Sequence, residues 1–149
     1  MLNVGDNAPD FELPDQNGTL QTLDGLLEQG NLVLYFYPAD FTPVCTAEAC
    51  AFRDHVDDVA EQGSHIVGIS PQDTSSHQRF AEKFSLPFTL LSDGKKSAIK
   101  AYGVNGPMGF GVRRATFLID QSRTIRKRAV SDFFVNSHIE LVKDLSLDK

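Results

Sequence analysis

Two cysteines, Cys45 and Cys50, stand five positions apart, and they are the only two in 149 residues. Cys45 follows Thr42 and Pro43, a residue pair that reads as a helix N-cap with proline at the first helical position. The apolar run 31–37 just before them reads as a strand buried on both faces. Cys45 is therefore expected in the first turn of a helix, beyond the carboxyl end of a central strand, where ligand sites of α/β sheets lie. The chemistry open to such a thiol is nucleophilic. A free cysteine of ordinary pKa is only about 3% thiolate at pH 7. A helix N-terminus favours an anion by roughly 0.3–1 kcal/mol. A predominantly thiolate cysteine needs roughly 3.4 kcal/mol, so the helix dipole alone falls short. No lysine or arginine occurs between Asn31 and Phe52. The missing cation must come from a distant part of the chain, and Arg113 and Arg114, at the start of a later strand, are the leading candidates.

Taken alone, Cys45 could equally be a small buried hydrophobe. Cys50 changes that reading. Five residues of ideal helix advance about 7.5 Å and turn about 140°. The two Cα atoms would then lie roughly 8–9 Å apart, beyond the reach of a disulfide. The pair is either two unrelated thiols or a switch that closes only when the start of the helix unwinds.

The elements that must position these residues follow from periodicity. Residues 65–70, 88–91 and 115–119 are further short β-type runs, and 124–130 pairs with 115–119 as a hairpin across Asp120 to Arg123. Cys45, Ala49, Phe52, Val56 and Val59 recur at helical spacing, giving one helix from Thr42 to a stop at Gly63. Residues 74–84, 95–102 and 137–145 are also helical. Residues 14–18 form a turn between 11–13 and 19–20, an N-terminal β-hairpin. Strands alternating with helices give an α/β fold with a central mixed sheet flanked by helices. With no linker or repeat, residues 1–149 read as one domain.

Composition narrows the function classes. Apolar residues make up 41%, charged residues 23%, and the net charge is −6, ordinary for a globular chain with no general pull toward nucleic acid or anionic lipid. The longest strictly apolar run, 32–37, is six residues against the roughly 20 of a membrane span. No leader pattern is expected from the opening residues, and two cysteines suit a reducing cytoplasm better than a disulfide scaffold. His55, His65, His77 and His138 lack metal-ligand spacing and read as surface or packing residues. Gly103, Gly106, Gly109 and Gly111 mark a flexible loop rather than a phosphate cradle. The basic residues between Arg113 and Arg128 are expected on solvated strand faces, and Phe133 and Phe134 in the core, with docking the alternative role for an exposed phenylalanine near the site.

At this point a resemblance is visible. Pro38-x-x-x-Thr42-x-x-Cys45 is similar to the active-site signature of peroxiredoxins, and Cys50 five positions on resembles the peroxiredoxin Q, or bacterioferritin comigratory protein, subfamily. Matching flanks include Gly5-Asp6-x-Ala8-Pro9-Asp10-Phe11, Tyr35-Phe36-Tyr37-Pro38, Phe52-Arg53-Asp54, Val67-Gly68-Ile69-Ser70 and Arg114-x-x-Phe117-Leu118-Ile119-Asp120. The resemblance implies a thioredoxin-like fold and thiol-dependent reduction of hydrogen peroxide and organic hydroperoxides without metal or haem. It implies Cys45 as the peroxidatic cysteine, Cys50 as the resolving one, Thr42 as a hydrogen-bond partner of the peroxide, and Pro38 as a shield over the thiolate. It singles out Arg114, rather than Arg113, as the active-site cation, and Glu48 as the carboxylate that orients it. Thioredoxin or a glutaredoxin-like dithiol would be the reductant, and the protein would be a monomer. Val44 stands where many subfamily members have glycine. A one-cysteine peroxidase with Cys50 structural, and a redox sensor using the same helix-unwinding switch, are the rival readings.

Overall fold

A computed structural model describes residues 1–109 and 111–147. Its centre is the apolar run read from the sequence, strand β3 (Asn31–Phe36). Beside it lie β4 (Ser64–Ser70) and β5 (Thr89–Ser92) on one side, and β6 (Ala115–Ile119) and β7 (Ile125–Val130) on the other, in the order β5-β4-β3-β6-β7. β3, β4 and β5 run parallel, whereas β6 and β7 are antiparallel, so the sheet is mixed as expected. Leu34 sits opposite Val67 on one neighbour and Phe117 on the other.

Alternation along β3 divides the core in two, because successive side chains leave opposite faces. Leu32, Leu34 and Phe36 pack with Leu23, Leu26, Ile99 and Tyr102. Val33 and Tyr35 point the other way, to Cys45, Ala49, Phe52, Phe80 and Val142. The second layer is built by α2 (Pro43–Asp54), α4 (Thr74–Phe84) and α6 (Asn136–Lys143). The first includes α1 (Leu23–Leu27) and α5 (Ser97–Ala101). Phe52 is fully buried with its ring 4.7 Å from that of Tyr35; burial of one such side chain contributes roughly 1.5–3 kcal/mol. That contact presses α2 onto the sheet and sets the depth of Cys45.

The N-terminal hairpin pairs β1 (Glu12–Pro14) with β2 (Leu20–Thr22). Buried Asp15 closes its turn by accepting from the amides of Asn17 and Thr19 at 2.9 and 3.0 Å. Helix α1 is absent from the sequence reading because five residues carry too little periodicity; the Thr22 hydroxyl caps it by accepting from the Gly25 amide at 3.1 Å.

Two expectations are corrected. The helix from Thr42 to Gly63 is two helices, α2 and α3 (Val56–Glu61), broken at His55. There the imidazole Nδ1 lies 2.9 Å from the Ala51 carbonyl oxygen, while the His55 amide turns to the Phe52 carbonyl at 3.1 Å. The side chain thus meets a carbonyl that the backbone amide would take in continuing helix. Phe133 and Phe134, expected in the core, are 77% and 72% exposed. Among the described residues no helix is long and apolar enough to cross a membrane.

Candidate active site

The chain leaves β3 at Phe36, and the Tyr37 amide still donates to the Ile69 carbonyl at 3.0 Å. Half-buried Pro38 follows. Phe41 then adopts the left-handed conformation, with φ of 66°, a strain of about 1–2 kcal/mol for a residue with a Cβ. Thr42 is extended and is the residue before α2, with Pro43 opening the helix as expected. Its hydroxyl does not cap the helix; it donates instead to the Ala39 carbonyl at 3.1 Å. Cys45 is the third residue of α2, so its amide belongs to the first turn, whose N–H groups find no acceptor within the helix.

Arg114, just before β6, closes the site on the same face of the sheet. Its Nη2 donates to Cys45 Sγ at 3.2 Å, and its Nη1 donates to Glu48 Oε1 at 2.8 Å. All three residues are buried, at 1%, 3% and 0% exposure for Cys45, Arg114 and Glu48. Glu48 stands three positions after Cys45, one helical turn on, so both face the same guanidinium. Burial opposes the arginine's charge, but the Glu48 carboxylate and the bond to Cys45 outweigh it, and its pKa is raised. Glu48 is pushed up to about 7 by burial, with Arg114 pulling the other way.

Arg113 goes elsewhere. Successive residues leave a strand on opposite faces, and Arg113 turns outward to Asp132 at 2.9 Å. The same Asp132 accepts from the Arg114 amide at 3.0 Å, and its carbonyl accepts from Arg114 Nε at 3.2 Å. Asp132 thereby fixes which arginine points inward. The remaining basic residues of this region are engaged too, Arg126 with Asp120 and Arg128 with the Leu2 carbonyl, as solvated strand faces allow.

Behind Glu48 is a polar cluster that spacing alone could not reveal. His138 Nδ1 lies 2.7 Å from the Thr116 hydroxyl and 3.7 Å from Glu48 Oε2, and its Nε2 lies 3.1 Å from the Ser131 carbonyl. The Ser131 carbonyl needs a donor, so the proton sits on Nε2 and Nδ1 accepts from Thr116. Burial lowers the pKa of His138, in keeping with a neutral ring. Glu48 Oε2 has no hydrogen-bond partner among the described residues. His138 is fully buried, so reading it as a packing residue understated its place beside the site.

Cys50 lies on α2 and is half-buried, and both cysteines are free thiols. With the helix intact their separation forbids a disulfide. The structure thus brings Arg114 into direct contact with both Cys45 and Glu48, places Thr42 and Pro38 on the loop that enters α2, and leaves Cys50 apart.

A thioredoxin-like sheet presenting an arginine-bound, buried cysteine at a helix start defines the peroxiredoxin class of fold and site. The AhpC/TSA family model matches residues 4–128. Peroxiredoxin Q of Arabidopsis thaliana chloroplasts is 42% identical over 141 residues, covering 93% of this chain and 64% of that protein. The crystal structure of peroxidoxin BcpB from Mycobacterium tuberculosis superposes with a TM-score of 0.90 at 40% identity, covering 96% of this chain and 95% of that one. A Xanthomonas campestris bacterioferritin comigratory protein, described for its alkyl peroxide reduction activity, superposes at 0.81 with 29% identity, covering 89% and 87%. The chain belongs to the AhpC/TSA family.

Proposed function

We propose that this chain is a thiol peroxidase that reduces hydrogen peroxide and organic hydroperoxides, with Cys45 as nucleophile and Cys50 as resolving thiol. The observation that carries the reading is the Arg114 Nη2 donor 3.2 Å from a buried sulfur at a helix start. It supplies the distant cation that the thiolate requires, since an opposite charge in contact favours the ionised form.

The first step breaks the peroxide O–O bond. The Cys45 thiolate attacks one oxygen, an S–O bond forms, and the other oxygen leaves as hydroxide or alkoxide and takes up a proton. Sulfur is oxidised and the peroxide reduced. Negative charge moves from sulfur toward the oxygens, within reach of the first-turn amides of α2 and of Arg114. Donors already in place there favour the transition state over the ground state. The Thr42 hydroxyl, already donating to Ala39, keeps its lone pairs free to accept from the peroxide O–H. Pro38 shields the sulfur from water. Glu48 orients Arg114. With a pKa of about 7, its carboxyl is neutral in a large share of molecules near neutral pH, which limits its repulsion of the thiolate.

The product is a sulfenic acid at Cys45. The start of α2 unwinds, Cys50 displaces water, and a Cys45–Cys50 disulfide forms. A dithiol such as thioredoxin or a glutaredoxin-like protein returns both thiols by exchange. We assign this cycle to a monomer in the cytoplasm, with residues 1–149 acting as one domain.

The test is coupled turnover. With thioredoxin, its reductase and NADPH, wild type consumes peroxide over many cycles, Cys45→Ser is inactive, and Cys50→Ser reacts once per chain. Sustained turnover by Cys45→Ser would overturn the assignment.

A further inference from the structure

The loop at residues 37–42 contains a buried carboxylate that the chemistry above does not use. Asp40 is 5% exposed, and its side chain is sealed from solvent. It accepts from the Tyr37 hydroxyl at 2.7 Å through Oδ1, and through Oδ2 from the Ser76 hydroxyl at 2.7 Å. His77 Nδ1 lies 2.7 Å from the same Oδ2, and the opposite ring nitrogen lies 3.0 Å from the Leu91 carbonyl. His77, a residue of α4, thereby ties Asp40 to β5 through its two ring nitrogens.

The next residue repeats the attachment by packing. Phe41, held in its strained backbone conformation, sets its ring 5.2 Å from Phe80 and 6.3 Å from Phe84. Ser76, His77, Phe80 and Phe84 all belong to α4. The loop is thus fastened to one helix by hydrogen bonds at Asp40 and by aromatic contacts at Phe41. Strained backbone persists only where its surroundings over-determine it, and these contacts do so between Pro38 and Thr42.

We propose that Asp40 and His77 are positioning residues for the peroxidase reaction, clamping the loop of Pro38 and Thr42 to α4 in the shape that receives peroxide. The proposal rests on the peroxidase reading above. Neither residue touches the sulfur or the substrate; both act through the loop. Because the loop also leads into the helix turn that must unwind, releasing the clamp slows sulfenic acid formation and speeds disulfide closure.

The imidazole offers a discriminating pair of substitutions. The asparagine amide nitrogen coincides with histidine Nδ1 and can still donate to Asp40. The glutamine amide nitrogen coincides with Nε2 and can reach only Leu91. Hydrogen peroxide is the probe, and rapid quench with intact mass measures Cys45 oxidation in a Cys50→Ser background. Asp40→Asn and His77→Gln are expected to lower the second-order rate constant at least tenfold, and His77→Asn to stay within threefold of its parent. With Cys50 present, Asp40→Asn should give several-fold less sulfinic acid at tenfold peroxide excess. Tyr37→Phe, which removes one donor and keeps the ring, should slow the first step two- to fivefold, and it decides the matter if Asp40→Asn does not fold. Equal impairment of His77→Asn and His77→Gln would mean that the ring only fills space, and would overturn the proposal. So would a folded Asp40→Asn that oxidises within threefold of its parent. Absence of Cys45 oxidation in the parent would instead remove the peroxidase reading itself, and this proposal with it.

Discussion

Replacing Arg114 by glutamine removes the one cation in contact with the sulfur among the described residues. Two unit charges 3.2 Å apart attract by about 5 kcal/mol at an effective dielectric constant near 20. Water entry and relaxation recover part of this for the variant, leaving a loss of about 2–3 kcal/mol. That corresponds to a fall of about 30- to 150-fold in the rate of the first step. Arginine to lysine keeps the charge but not the fork that reaches Cys45 and Glu48 together, and should cost about 1 kcal/mol, or roughly fivefold. The chain has no tryptophan, so indole fluorescence cannot follow the reaction. Rapid quench with alkylation and mass analysis, in a Cys50→Ser background, counts oxidised Cys45 directly. A folded Arg114→Gln variant reacting within threefold of its parent would refute the electrostatic argument.

Three further outcomes follow from the geometry. Glu48 has a folded pKa of about 7, raised from 4.5 by burial, so its stabilising contribution is fully present below pH 4.5 and is lost as pH rises through 7. The stability of wild type minus that of Glu48→Gln should therefore fall by up to about 3 kcal/mol across that window, at about 1.4 kcal/mol per pH unit; urea titrations that stay parallel from pH 4.5 to 7.5 would count against it. Thr42→Val keeps the shape of the side chain but removes the hydroxyl, and should slow Cys45 oxidation about tenfold, the effect of losing one hydrogen bond, while Thr42→Ser stays close to wild type; equal rates for the two would deny the hydroxyl a role. A methyl group at Gly68 would stand 2.8 Å from Tyr35 Cζ and 3.0 Å from Leu90 Cδ2, so Gly68→Ala should cost about 1–3 kcal/mol by overpacking and lower the melting temperature by roughly 3–10 °C; an unchanged melt would show that the β3–β4 layer yields more easily than its packing suggests.

The parts of this structure legible in the sequence are those whose signals are local. Thr42, Pro43 and Cys45 announce a helix start within four residues, and the short run 31–37, mostly apolar and bounded by Gly30 and Pro38, reads as a central strand. The requirement for a distant cation was also legible, because the arithmetic of thiolate formation does not close without one. The choice between Arg113 and Arg114 was not decided by that arithmetic. Asp132 decides it, eighteen residues after Arg114 and visible only once β6 and β7 pair. Asp40 with His77, and Thr116 with His138, lie 37 and 22 residues apart and carry no common spacing, so their networks exist only in three dimensions. The break at His55 is invisible in the sequence because helical periodicity of apolar residues runs straight through it, while the contact of the His55 ring with the Ala51 carbonyl leaves no trace in that pattern. Phe133 and Phe134 depart from the expected core because hydrophobicity does not dictate burial, and large apolar side chains also occur on surfaces.

The most direct test of the central claim is the mass of the reduced protein after one equivalent of hydrogen peroxide, with peptide mapping, for wild type and Cys50→Ser. A two-cysteine peroxidase predicts loss of two hydrogens in wild type, mapped to a Cys45–Cys50 bond, and one added oxygen at Cys45 in the variant. Oxygen added at Cys45 in both would remove Cys50 as the resolving thiol, and an unchanged mass in both would contradict the account.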